Sequence, residues 1–166
     1  MSLKDDLVIE KAVLSDLEEL SRLERIGFPS DEAASKDAFE YRLKNFPDWF
    51  LTARYGGKII GFINGILSDK KLISDEAYLP NSEISRDGRN LLLFGLVVHP
   101  DYRKNRIAEK LMKTILNNAK KRGIRNIALT CRERLITYYE KFGFVNVGVS
   151  ESVIGNVTWY DMIIKN

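Results

Sequence analysis

Residues 91–98 read Leu-Leu-Leu-Phe-Gly-Leu-Val-Val, eight apolar positions in a row without a charge. An uninterrupted run of this kind suits a strand covered on both faces. A basic turn follows at once, His99-Pro100-Asp101-Tyr102-Arg103-Lys104-Asn105-Arg106. Beyond it, Ile107, Leu111, Met112, Ile115 and Ala119 recur at helical spacing, which predicts a helix over 105–121. Gly123 is placed to stop that helix as its C-cap. Any fold for this chain must therefore sandwich a central apolar strand between layers and feed it straight into a helix through a cluster of cations.

The remaining elements fit around that unit. A strand is predicted over 7–13, and Ser15 or Asp16 can cap a helix running to about Ile26, with Leu17, Leu20, Leu23 and Glu24 at helical spacing. A second helix fits Ser35 to about Phe46. Strands over 49–53 and 58–67 flank Gly56-Gly57, a hairpin turn signal. Residues 68–89 form a long polar connection of the sort that usually carries function or folds partly into a helix. After the central helix come a strand over 126–130, a short helix over 133–142 that Gly143 ends, and strands over 144–149 and 157–164, read as an antiparallel pair. The order predicts one mixed α/β domain over residues 1–166.

Composition narrows the function. With 45% hydrophobic and 30% charged residues the chain is an ordinary globular one. A net charge of +3, mixed along the sequence, lacks the basic stripe of a nucleic-acid binder. One cysteine excludes an internal disulfide, and no Cys/His cluster has metal-ligand spacing, so no metal is expected. No apolar run approaches the ~18 residues of a membrane span, and no signal peptide is visible. These features point to a cytoplasmic protein without nucleic-acid or membrane partners. Cys131 reads as a small buried residue.

Gly95 interrupts the most apolar strand. A glycine there marks either room for a neighbouring aromatic or a bulge that parts two strands and frees backbone N–H groups. Freed amides can accept an extended ligand arm and polarise a carbonyl. The basic turn carries a second signal. A helix N-terminus already favours anions, and Arg103, Lys104 and Arg106 oppose its dipole unless a polyanion occupies the site. A solvated basic helix end is the alternative.

The stretch Val98 to Ala108 resembles the pyrophosphate-binding motif of the GNAT superfamily of N-acetyltransferases, Arg/Gln-x-x-Gly-x-Gly/Ala, with Arg103 and Ala108 at its ends. Tyr138-Tyr139-Glu140-Lys141-Phe142-Gly143-Phe144 resembles that superfamily's Tyr-x-x-x-Gly-Phe element. Glu24-Arg25-x-x-Phe28, the stretch from Asp48 to Ser68 and Thr158 to Met162 are similar to the arylalkylamine (serotonin) branch. The resemblance implies a GNAT-like single mixed, largely antiparallel sheet of about seven strands, splayed at its central strands and flanked by about four helices. There are two departures. Arg106 replaces the motif's central glycine, which costs ~1 kcal/mol or more if the position needs positive φ. Leu92 and Phe94 stand where the serotonin enzymes carry two histidines that help remove the amine's proton, and the one histidine, His99, reads as structural.

What the resemblance implies is acetyl-CoA as donor and a primary amine as acceptor, with direct attack through a tetrahedral intermediate. The donor would lie along Leu96, Val97 and Val98 and on the amides of Lys104, Asn105, Ile107 and Glu109, with Arg103, Arg106 and Ala108 completing the motif. Tyr139 would be the catalytic acid for the leaving thiolate. Tyr138, adjacent on the helix, must face elsewhere. Glu24, Phe28, Phe94 and Trp159 are the acceptor-pocket candidates, Glu24 also as the group that takes the amine's proton. Asp69 and Glu76 could attract a cationic acceptor. A protein or peptide acceptor, and a non-catalytic CoA-binding module acting through partners, are the alternatives, and homodimers are frequent among such enzymes.

Overall fold

A computed structural model describes residues 6–80 and 87–166. Seven strands form one sheet: β1 (Leu7–Lys11), β2 (Phe50–Tyr55), β3 (Lys58–Ser68), β4 (Asn90–Val98), β5 (Asn126–Cys131), β6 (Val145–Val149) and β7 (Tyr160–Lys165). The order is β1-β2-β3-β4-β5-β7-β6. All neighbours are antiparallel except β4 and β5, which run parallel. Four α-helices accompany it: α1 (Leu17–Gly27), α2 (Lys36–Asn45), α3 (Ile107–Lys121) and α4 (Ile136–Glu140). The mixed, mostly antiparallel sheet expected from the sequence is the one observed.

Local chemistry sets the elements. Ser35 caps α2 by accepting the Ala38 N–H at 3.1 Å. Gly56 and Gly57 take φ of 57° and 78°, the left-handed pair that a tight hairpin needs. Phe50, Phe62 and Val97 pack with Leu20, Leu23, Phe39 and Leu43 of α1 and α2. Leu51, Ile63 and Leu91 pack with Leu111, Met112 and Ile115 of α3. The apolar run of β4 is thus covered on both faces, as its composition demands.

Two features of β4 create the site. Its pairing with β5 covers only Asn90, Leu91 and Leu92, and beyond Leu92 the two strands part. Its register with β3 slips between Ile63 and Gly65, so that Phe94 and Gly95 together face Asn64. This is a β-bulge, and it lies where the strands separate. A Cβ on Gly65 would stand 2.5 Å from the Leu92 carbonyl oxygen, so the bulge relies on glycine at that position too.

Two expectations are corrected. The helix after the basic turn starts at Ile107 instead of residue 105, because Arg106 is left-handed at φ 58° and cannot join it. The 133–142 helix divides into a 3-10 turn, Glu133–Leu135, and the five-residue α4. The 68–89 connection folds partly into a helix as expected, in the 3-10 turn Asp75–Tyr78, and its residues 81–86 fall outside the described ones. Overpacking at the bulge gives a direct check. Gly65→Ala should lower unfolding stability by about 2 kcal/mol, read from the denaturant midpoint, and an unchanged midpoint would contradict this packing.

Candidate active site

Where β4 leaves β5, a cavity of about 140 Å³ opens between α1, α2, α4 and three loops. Glu24 reaches it from α1. The helical repeat places Glu24 four residues after Leu20, on the apolar face, and it is only 3% exposed. One carboxylate oxygen, Oε2, accepts the Ala34 N–H at 2.8 Å. The other, Oε1, is buried and has no hydrogen-bond partner among the described residues. It lies over the bulge, 3.0 Å from where a Cβ on Gly95 would be. Gly95 therefore makes room for a carboxylate as well as bending the strand. Burial pushes the Glu24 carboxyl up to about 7, against the opposing effects of the Ala34 N–H and the Arg42 charge.

Arg42 enters from α2, fully buried. Its Nη1 donates to Asn64 Oδ1 at 2.8 Å and its Nη2 to the Tyr78 carbonyl at 3.0 Å. The guanidinium lies 4.2 Å from the centre of the Phe94 ring, and the Tyr78 ring stands 4.6 Å from Phe94, centroid to centroid. Asn64 also donates through Nδ2 to the Gly95 carbonyl at 3.2 Å. One amide side chain therefore ties the buried cation to the bulge.

Three segments are fastened together across the cavity. Arg132 donates to both carboxylate oxygens of Glu32 at 2.8 and 2.7 Å and lies 5.6 Å from the centre of the Trp159 ring. Asp75 accepts from the Ser152 hydroxyl at 2.5 Å and from the Val153 N–H at 3.0 Å. Trp159 Nε1 donates to the Ile154 carbonyl at 2.7 Å. The α1–α2 connection, the Asp75–Tyr78 turn and the β6–β7 loop are thereby held over an aromatic chamber.

Tyr139 lines the same cavity, and burial raises its phenol well above the usual tyrosine range, so it stays protonated. Cys131 lines it as well, its thiol pushed up to about 11 by burial, which keeps it a thiol. Tyr138 turns away to a second hollow of about 300 Å³, shared with Val98, Arg103, Lys104, Arg106 and Ile107. Adjacent tyrosines on one helical turn thus serve two pockets, as their spacing requires.

That second hollow is the corner where β4 hands over to α3. Lys104 and Arg106 take φ of 68° and 58° without being glycine. The strain is of order 1–2 kcal/mol at each, and it turns main-chain amides around the pocket. Along β4, the His99 N–H donates to the Ile60 carbonyl at 2.8 Å. Alternation of an antiparallel ladder then points the peptide groups of Leu96 and Val98 away from β3, into the gap. Leu96 lines the first cavity and Val98 the second, so the free strand edge joins them.

The predicted residues divide as follows. Glu24, Phe28, Phe94, Trp159, Leu96 and Tyr139 meet at the first cavity. Val98, Arg103, Lys104, Arg106, Ile107, Ala108 and Glu109 meet at the second. Two do not line either hollow. Val97 is buried on the opposite face, against Gly27 of α1, and the exposed Asn105 folds back on its own turn, its amide donating to the Tyr102 and Arg103 carbonyls at 2.9 and 3.1 Å. Asp69 and Glu76 line neither. His99 holds the turn, its Nδ1 accepting the Asp101 N–H at 3.1 Å. Arg42, Asn64 and Tyr78 were missed. The signal for the first two was a polar residue inside an apolar stripe: Arg42 between Phe39 and Phe46, Asn64 within Phe62-Ile63-Asn64-Gly65-Ile66.

The sheet, the gap and the basic turn together are those of a GNAT acetyltransferase domain. The chain belongs to the acetyltransferase (GNAT) family, whose model matches residues 14–144. It is 29% identical over 107 residues to serotonin N-acetyltransferase of Mesocricetus auratus. That match covers 64% of this chain and 50% of the relative, so the chain spans about half the length of the curated relative. The fold is similar to the loading GNATL domain of CurA from Lyngbya majuscula, with TM-score 0.84 and 12% identity over 96% of this chain and 97% of that one. It is also similar to Arabidopsis thaliana Naa50 in complex with the bisubstrate analogue CoA-Ac-MVNAL, with TM-score 0.75 and 18% identity over 97% and 99%.

Burial of Glu24 has a consequence for stability. Its folded-state pKa of about 7 exceeds the ordinary value of 4.5, so the native state binds the extra proton between those limits. The stabilisation is complete below pH ~4.5 and is lost as pH rises to ~7. Glu24→Gln should leave stability unchanged near pH 4 and raise it by about 1–3 kcal/mol at pH 8. Melting curves across this range test it, and equal curves at both ends contradict it.

Proposed function

We propose that this chain is an acetyl-CoA-dependent N-acetyltransferase acting on a small primary amine. The observation that carries the reading is a cavity beside the β4 edge that is lined by Glu24, whose Oε1 is buried against Gly95 without a hydrogen-bond partner among the described residues. The corner pocket fits the donor's diphosphate. It offers the amides of the left-handed turn, the start of α3, and three cations. The edge of β4 at Leu96 and Val98 offers peptide groups to the amides of a pantetheine arm. Bound there, acetyl-CoA supplies the activated acetyl thioester.

The rest of the chemistry belongs to this chain's side chains. The Leu96 N–H faces the gap and suits a thioester oxygen gaining charge. An alkylamine of pKa near 10 is about one part in a thousand neutral at pH 7. Glu24 is the group to take its proton. With a pKa of about 7, it receives that proton at a cost about 3 kcal/mol smaller than an ordinary glutamate would. Tyr139, kept protonated by burial, can donate to the sulfur as the carbon–sulfur bond breaks. The missing histidine pair is then replaced by a carboxylate approaching from α1.

Cavity shape favours a small amine over a peptide. A peptide acceptor needs an open groove for the chain on either side of its amine. Here Glu32, held by Arg132, and Ser152, held by Asp75, are among the lining residues, and the cavity of about 140 Å³ is bounded by Phe28, Phe94, Tyr78 and Trp159. Thiol release from acetyl-CoA with arylalkylamines, polyamines and peptides tests this. Turnover with small apolar amines and none with peptides is expected. Glu24→Gln should cut kcat roughly 100-fold or more and remove a rise in kcat centred near pH 7, and Tyr139→Phe should slow transfer roughly 100-fold with CoA affinity unchanged. Cofactor-dependent thermal protection without turnover on any amine would instead favour a binding module.

A further inference from the structure

A fully buried arginine beside a buried acid needs a reason. Arg42 is 2% exposed, and its hydrogen bonds run to two neutral oxygens, Asn64 Oδ1 and the Tyr78 carbonyl. Among the described residues the guanidinium has no ion pair; burying it so is costly, and a well-packed apolar residue would serve α2 better if packing were its only task. The surroundings hold it in one place. Two donors are fixed, one face lies on Phe94, and Asn64 is itself pinned to the Gly95 carbonyl. The same Gly95 carries Glu24 Oε1 on its open side.

We propose that Arg42 is a positioning residue for the proton acceptor: caged by Asn64, Tyr78 and Phe94, its fixed cation supplies the positive potential that lets the buried Glu24 ionise inside the acceptor cavity. Other charges near Glu24 among the described residues do not supply it. Glu32 is engaged by Arg132, and both act at the cavity's roof. Asp75 is engaged by Ser152 and Val153. Tyr78, Cys131 and Tyr139 are raised by burial and stay neutral. Strands β3 and β4 contribute Asn64, Phe94, Gly95 and Leu96, none of which titrates. Against burial, the Ala34 N–H first and then the Arg42 charge draw the Glu24 carboxyl down, and Arg42 is the charge among the described residues that does so.

Asn64 is part of the same device. It orients the cation with its carbonyl and secures the bulge with its amide, so the base and the strand edge are positioned by one side chain. The inference rests on Glu24 as the base, and the test separates the two ideas. Glu24 is followed directly by 13C NMR of glutamate-labelled protein, assigned with Glu24→Gln, and independently by the pH profile of kcat. Arg42→Gln should move the Glu24 titration up by about one pH unit or more, and carry the kcat limb with it. Arg42→Lys, which keeps the charge but loses the fork, should leave the titration near its wild-type position. Asn64→Asp sets a carboxylate against Arg42 and offsets its charge, at the cost of the donor to the Gly95 carbonyl, and should also move the titration up, which covers a failure of Arg42→Gln to fold. A Glu24 titration unmoved in Arg42→Gln or Asn64→Asp overturns the proposal, as does an equal shift in Arg42→Lys and Arg42→Gln. If Glu24→Gln retains full kcat while the NMR shifts appear as described, the base assignment fails and the electrostatic coupling stands.

Discussion

The parting of β4 from β5 after Leu92 is the constraint on which the rest depends. A continuous ladder there would occupy the edge amides of Leu96 and Val98 and leave no cavity. The chain prevents it with a bulge that sets Phe94 and Gly95 against Asn64. The bulge needs glycine twice. Gly95 leaves space for a carboxylate, and Gly65 avoids the Leu92 carbonyl. Asn64 satisfies the displaced Gly95 carbonyl, which would otherwise be a buried acceptor without a donor.

Charge placement follows from that opening. Buried carboxylates and guanidinium groups are each expensive, and an apolar cavity would be cheaper to fold. This chain keeps one of each, Glu24 and Arg42, in the same chamber without closing them into a bonded pair. A bonded pair would hold Glu24 strongly ionised and occupied. Separated, the acid titrates near neutral pH with one oxygen unbonded among the described residues. Strain at Lys104 and Arg106 is a second cost, accepted where the helix begins and where amides must point outward.

Much of this was legible in the sequence, for identifiable reasons. The apolar run of 91–98 and the Gly56-Gly57 turn each obey short-range rules, and their elements lie within a few residues of expectation. Gly95 announced the bulge because a glycine has few other uses inside a buried strand. Glu24, Phe28, Phe94 and Trp159 were drawn together by resemblance to the acetyltransferases, since segments so far apart in the chain have no local rule that joins them. Neither the Asn105 nor the Val97 side chain lines a hollow, because a motif names a segment of main chain without saying where its side chains point. Arg42 and Tyr78 were invisible as partners because their contact is made across the fold, between a helix and a loop 36 residues later.

The central claim is that main-chain amides at the β4–α3 corner and along the free edge of β4 hold the donor. Titrating unlabelled CoA into 15N-labelled protein tests it most directly. The account predicts that the amides of Leu96, Val98 and residues 104–108 shift together with one dissociation constant, while those of Leu7–Lys11 in β1 stay still. Amides at that corner unmoved at saturating CoA, or shifts confined to another face, would contradict it.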